Sequence, residues 1–162
     1  MSVNKYLPHV YVLPEDDANR QLANGFVLDQ ALSTRSIEVL DPVGGWNKVL
    51  NCFLSDHVAG MERYPYRSIV LLIDFDGHLD RLSEVRARIP GHLTKRVYIL
   101  GALNEPEDLR TELGSYETIG LAMAQDCREG TSRTWDHPLL RHNANELDRL
   151  RERVQPVLFQ SA

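Results

Sequence analysis

Residues 69–78 read IVLLIDFDGH, an apolar run that stops abruptly at Asp74, Asp76 and Gly77. A continuous apolar run bounded by polar turn residues is the pattern of a strand buried on both faces, inside a parallel sheet. Open α/β sheets place their ligands at the C-terminal ends of strands, where these two carboxylates stand. Burying one carboxylate there is costly and burying two is worse, unless a cation or hydrogen bonds compensate. Oxygen-only ligands at this spacing suit Mg²⁺, which takes one or two carboxylates and keeps several waters. A divalent-metal site is the first expectation.

Working outward, the chain alternates strand and helix patterns. HVYVL, residues 9–13, is a β-rich run closed by Pro14, and Glu15, Asp16 and Asp17 follow it. A helical pattern runs over 18–32, with Leu22, Phe26 and Leu28 on its apolar side. SIEVL, residues 36–40, reads as a second strand leading into DPVGGWNK, whose paired glycines mark a tight turn. Further helices are expected over 49–58, 79–88, 107–113, 116–125 and 145–154, with strands over 68–73 and 96–100. Strands interleaved with helices imply an α/β fold of three layers around a mostly parallel sheet of about four strands.

At 162 residues the chain fits a single domain with a substantial core. Its 43% hydrophobic and 25% charged residues are those of an ordinary globular protein. No apolar stretch approaches the roughly 20 residues needed to cross a bilayer, and MSVNKYLPHV lacks the parts of a signal peptide. A cytoplasmic location without membrane contact is expected. Cys52 and Cys127 match no zinc spacing and read as buried thiols. A net charge of −5 argues against a broad nucleic-acid surface, though not against a local basic patch.

Acids follow three of the expected strands: Glu15–Asp17, Asp74 with Asp76, and Glu105 with Glu107. All C-terminal strand ends of a parallel sheet lie on one edge, so these groups can converge. Acids after strands also serve as helix caps and solvated turn groups, the favoured reading for Glu105 and Glu107 by themselves. Lys48, just past Gly44–Gly45, is a candidate phosphate contact, although a solvent-facing lysine explains it as well. In WDHPLLRHN, residues 135–143, Trp135, His137, Arg141, His142 and Asn143 are candidates for stacking a base and holding phosphates. A loop cap over the core is the favoured alternative.

VYVLPEDD, VLDPVGG and IVLLIDFDG together resemble the Toprim domain of topoisomerases, bacterial primases, OLD-type nucleases and small stand-alone proteins. The likeness covers roughly residues 9–113, and leaves 114–162 as a C-terminal helical extension. It implies a Toprim- or Rossmann-like fold in which Asp74 and Asp76 hold Mg²⁺ or Mn²⁺ and Glu15 is a further ligand or the acid/base. Asp16 and Asp17 are rival carriers of that role. Glu105 and Glu107 are the candidates for a second ion. The implied activity is Mg²⁺-dependent phosphodiester hydrolysis on DNA or RNA, with an ATPase subunit as the family-level partner.

Two rivals stand beside it. YVLPEDDANRQL with LLIDFDG resembles the receiver domains of response regulators. That likeness makes Asp74 a phosphoryl acceptor beside Mg²⁺ held by Asp16 or Asp17. The Ser or Thr expected after the fourth strand is missing from Gly101-Ala102-Leu103, and no later lysine is evident. A haloacid-dehalogenase-like phosphatase would carry DFDG on its first strand, followed by Thr rather than His78, and ranks last. The second rival is a Toprim-like framework that binds a partner without turnover.

Overall fold

The computed structural model describes residues 2–159. At its centre β1 (His9–Pro14), β2 (Ile37–Val39), β3 (Arg67–Leu72) and β4 (Val97–Leu100) form an all-parallel sheet in the order β2-β1-β3-β4. Val12 pairs with Val39 on one side and Val70 on the other, and Leu71 pairs with Ile99. The two-residue period of a strand sends Val10, Val12, Val70 and Leu100 to one core and Tyr11, Leu13, Leu71 and Ile99 to the other. Both faces are therefore covered, which is why the central strands read as unbroken apolar runs.

The first core joins the sheet to α1 (Asp17–Val27), α5 (Pro106–Leu113), α6 (Tyr116–Glu129), α7 (Ala144–Arg153) and α8 (Gln155–Leu158). The second joins it to α2 (Trp46–Cys52), α3 (Val58–Arg63) and α4 (Arg81–Arg88). The result is a single three-layer α/β domain. α1 and α6 cross backbone to backbone at a pair of glycines. A Cβ on Gly120 would stand 2.0 Å from the Leu22 carbonyl oxygen, and one on Gly25 would stand 2.4 Å from that of Glu117.

Four elements depart from the sequence expectations, among them α6, which runs to Glu129 rather than residue 125. α1 ends at Val27 rather than at residue 32, because Asp29 accepts from the Ala31 N–H and takes Arg128 as an ion pair, a local turn that competes with the helix. The second helical run is longer than 49–58: α2 continues through a π turn, Phe53–His57, directly into α3. The tail helix ends at Arg153 and is followed by the short α8, which carries Pro156 in its first turn.

The open edge of β4 is closed by side chains of the last helical segment. The Ile99 N–H donates to Glu146 Oε2 at 3.0 Å, and the Gly101 N–H donates to Asn143 Oδ1 at 3.1 Å. Asn143 Nδ2 donates back to the Gly101 carbonyl at 3.0 Å. A helix thus occupies the flank where another strand could pair, which protects an edge that would otherwise template association. Among the described residues, no helix is long and apolar enough to cross a membrane.

Candidate metal centre

The site forms where β1 and β3 end side by side. The Glu15 N–H donates to the Leu72 carbonyl at 2.9 Å, continuing the ladder on the β3 side. Alternation along the strand turns the nitrogen of Pro14 to the β2 side, beyond the last pair Val12–Val39, so proline leaves no bond unmade. The Glu15 carboxylate then reaches across to accept the Asp74 N–H at 2.9 Å. Asp16 caps α1 by accepting the Asn19 N–H at 2.9 Å, as short polar residues do at helix starts. Asn19 ties the two strand ends together: its Nδ2 donates to Asp16 Oδ1 at 2.9 Å and to Asp74 Oδ1 at 3.0 Å.

One oxygen each from Glu15, Asp16 and Asp74 lies within 4.8 Å of the others. Glu15 and Asp74 are buried and Asp16 half-buried. Burial pushes the Asp74 carboxyl up to about 8; the Asn19 amide pulls it down and the adjacent Glu15 raises it further. Glu15 is also raised, again mainly by burial, against the pull of the Asp74 N–H. Such crowding resists full ionisation unless a cation is present. Asn19 Oδ1 is buried without a hydrogen-bond donor, an acceptor left over beside the acids. Three carboxylate oxygens and a spare amide oxygen make an all-oxygen donor set, which suits a hard divalent ion and its waters. The residues present can hold a metal ion.

Asp76 stands apart. It takes a left-handed conformation at φ 50°, its side chain is 48% exposed, and its Oδ2 accepts from Arg81 Nη1 at 2.7 Å. Arg81 Nη1 also donates to the Asp74 carbonyl at 2.9 Å, and the guanidinium lies 4.5 Å over the Trp46 ring. Arg81 therefore draws the two aspartates of IDFDG to different surroundings. Asp17 faces solvent in the first turn of α1, paired with Arg20 and held below the ordinary aspartate range chiefly by Gln21. Of the three acids after β1, Glu15 and Asp16 enter the group.

Glu105 and Glu107 are exposed at the start of α5, outside the three-carboxylate group. Lys48 is exposed on α2, with its Nζ 4.0 Å from where a Cβ on Gly44 would stand. The Gly44 N–H donates to the Glu15 carbonyl at 2.7 Å, so the glycine turn after β2 braces the acid-bearing strand end. Arg141 is exposed. His142 is half-buried with its ring 4.8 Å from that of Phe75, and burial lowers its pKa. Trp135 is buried in the core, and its Nε1–H donates to the Met123 carbonyl. Asn19 and Arg81 belong to the site and are not among the sequence candidates. The spacing of an N-cap Asp16 and an Asn three residues on was the one readable signal for Asn19; nothing local marked Arg81.

No family model, no curated protein and no solved structure matches this chain.

Proposed function

We propose that this chain is a receiver-like domain in which Mg²⁺ is held by Glu15, Asp16 and Asp74, and the Asp74 carboxylate accepts a phosphoryl group. The observation that carries the reading is the convergence of those three acids at the β1/β3 strand ends, with Asp76 drawn off by Arg81. The order β2-β1-β3-β4 is that of the first four strands of flavodoxin-like sheets, whose ligands sit in the β1/β3 crevice. In the rival hydrolytic reading both aspartates of IDFDG would face one ion.

Mg²⁺, when bound, would neutralise the crowded carboxylates and offset charge on the phosphoryl oxygens. Asn19 holds Asp74 Oδ1, which leaves Oδ2 as the attacking atom. With acetyl phosphate as donor, Oδ2 forms a new bond to phosphorus while the donor's P–O bond breaks and acetate leaves with that electron pair. Glu15 fixes the backbone of Asp74 during the attack through the Asp74 N–H. Asp16 and Asn19 set the side-chain angle from the start of α1.

The chain departs from the receiver pattern at Gly101, where a hydroxyl is expected, and no lysine follows Lys95. These departures favour a second reading, Mg²⁺-dependent phosphodiester hydrolysis of DNA or RNA with Glu15 as the base, acting beside an ATPase partner. One experiment separates them. The protein is incubated with acetyl phosphate and Mg²⁺, and its intact mass is followed in wild type and Asp74→Asn. A phosphoryl adduct on the wild type alone supports the receiver reading. Absence of an adduct, with Mg²⁺-dependent cleavage of a nucleic-acid substrate, replaces it with the hydrolytic one.

A further inference from the structure

The opposite end of β4 carries a second feature of inverse charge. Lys95, Arg149 and Arg153 border a pocket of about 530 Å³, together with Tyr98 and Glu152. β4 is parallel to β1 and β3, so its N-terminal end lies at the sheet edge away from the acidic group. Three cations against one carboxylate invert the sign of a chain whose net charge is −5. Two further arginines, Arg86 and Arg96, stand close by: burial lowers the pKa of each, and the charges of Arg149 and Arg153 respectively add to that.

Arg149 is spent on structure. It donates to Glu146 and to the Thr94 carbonyl, with its guanidinium 5.0 Å over the Tyr98 ring. Lys95 and Arg153 are different: both are exposed, and neither forms an ion pair among the described residues. Arg153 donates only to the Lys95 carbonyl, which brings two like charges together. A helix C-terminus favours a cation, and Lys95 and Arg153 each stand in the last turn of a helical segment, but that effect does not account for the two charges being brought together. Tyr98 supplies an independent observation. It is fully buried, borders the pocket, and its hydroxyl has no hydrogen-bond partner. Buried hydroxyls of this kind are ordinarily satisfied, and one left over beside clustered cations fits an absent acceptor.

We propose that this pocket binds a small phosphorylated molecule, with its phosphate held by Lys95 and Arg153 and reached by the Tyr98 hydroxyl. A phosphate presents several strong acceptor oxygens, which matches the ammonium, guanidinium and hydroxyl-bearing residues that border the pocket. The volume lies within the range of small-ligand sites and exceeds the need of a single inorganic anion. Glu152, on the rim, works against the anion and limits its affinity.

The test is calorimetric titration of inorganic phosphate and pyrophosphate into the full chain without divalent cations, at constant ionic strength set with KCl. Saturable pyrophosphate binding is expected in wild type, weakened at least tenfold in the Lys95→Ala/Arg153→Ala double variant and several-fold in Tyr98→Phe. Glu152→Gln leaves the cations in place and is expected to tighten binding. Equal affinity in wild type and the double variant overturns the proposal. So does the absence of saturable pyrophosphate binding in wild type, or Glu152→Gln binding no tighter than wild type.

Discussion

At the scale of single residues, the two aspartates of IDFDG look interchangeable in sequence and differ in the fold. Asp74 is buried beside Glu15, while Asp76 is half-exposed and paired with Arg81. Asp74→Ala is expected to abolish Mg²⁺ and Mn²⁺ binding in a calorimetric titration, and Asp76→Ala to retain it within a few-fold. Loss in both variants would mean that the ion draws Asp76 off Arg81. Gly101 is a second residue with a fixed role. Its φ is +158°, and a Cβ there would stand 1.5 Å from the Ile73 carbonyl oxygen, because residues 73–77 run closely beside 100–103. A side chain at 101 has no room. Gly101→Ala should cost about 3 kcal/mol or more in urea unfolding, at the upper end of overpacking effects.

At the scale of elements, Asp126 and Glu146 fasten the C-terminal half to the sheet. Burial disfavours the Asp126 anion, but the Thr131 hydroxyl and the N–H groups of Thr134, Trp135 and Arg133 together hold its pKa below the ordinary value. Asp126→Ala is expected to lose about 2–4 kcal/mol and to loosen residues 131–135, read by hydrogen exchange. The folded pKa lies below the unfolded one, so this contribution is complete above pH 3.8 and is lost as pH falls through the folded value. Glu146 accepts the Ile99 N–H and pairs with Arg86 and Arg149. Glu146→Ala should cost about 3 kcal/mol, since it strands two arginines and bares the β4 edge. Light scattering should report the accompanying association. The strand and helix order was legible in these elements because apolar periodicity is local. The closing of the β4 edge was not, because it joins side chains more than 40 residues from the strand they serve.

For the whole molecule, the acid group links stability to pH and metal. Glu15 and Asp74 have folded pKa values above their unfolded ones. The folded state then binds more protons, so stability is complete below the unfolded values near 4 and is lost as pH rises toward about 8. The metal-free protein should therefore melt at lower temperature at pH 8 than at pH 5.5, in the range where Asp126 contributes evenly. In the proposed site, Mg²⁺ at 100 times its Kd is expected to add about 2.7 kcal/mol. For a chain of this size that raises Tm by roughly 5–10 °C, with no rise in Asp74→Ala. A pH-independent Tm in the absence of metal would count against the crowded, partly protonated acids.

By itself the sequence determined the alternating α/β order, the buried central strands and the acidic ends of β1 and β3, because each is written in neighbouring residues. The convergence of strand ends followed from parallel pairing alone, and so Glu15 and Asp74 could be placed near one another. The tertiary structure decided which acids meet. Asp16 is turned inward by capping α1, Asp17 outward by helical rotation, and Asp76 aside by an arginine delivered from α4. Side-chain direction at a strand end depends on partners brought by other elements, and no local pattern encodes it.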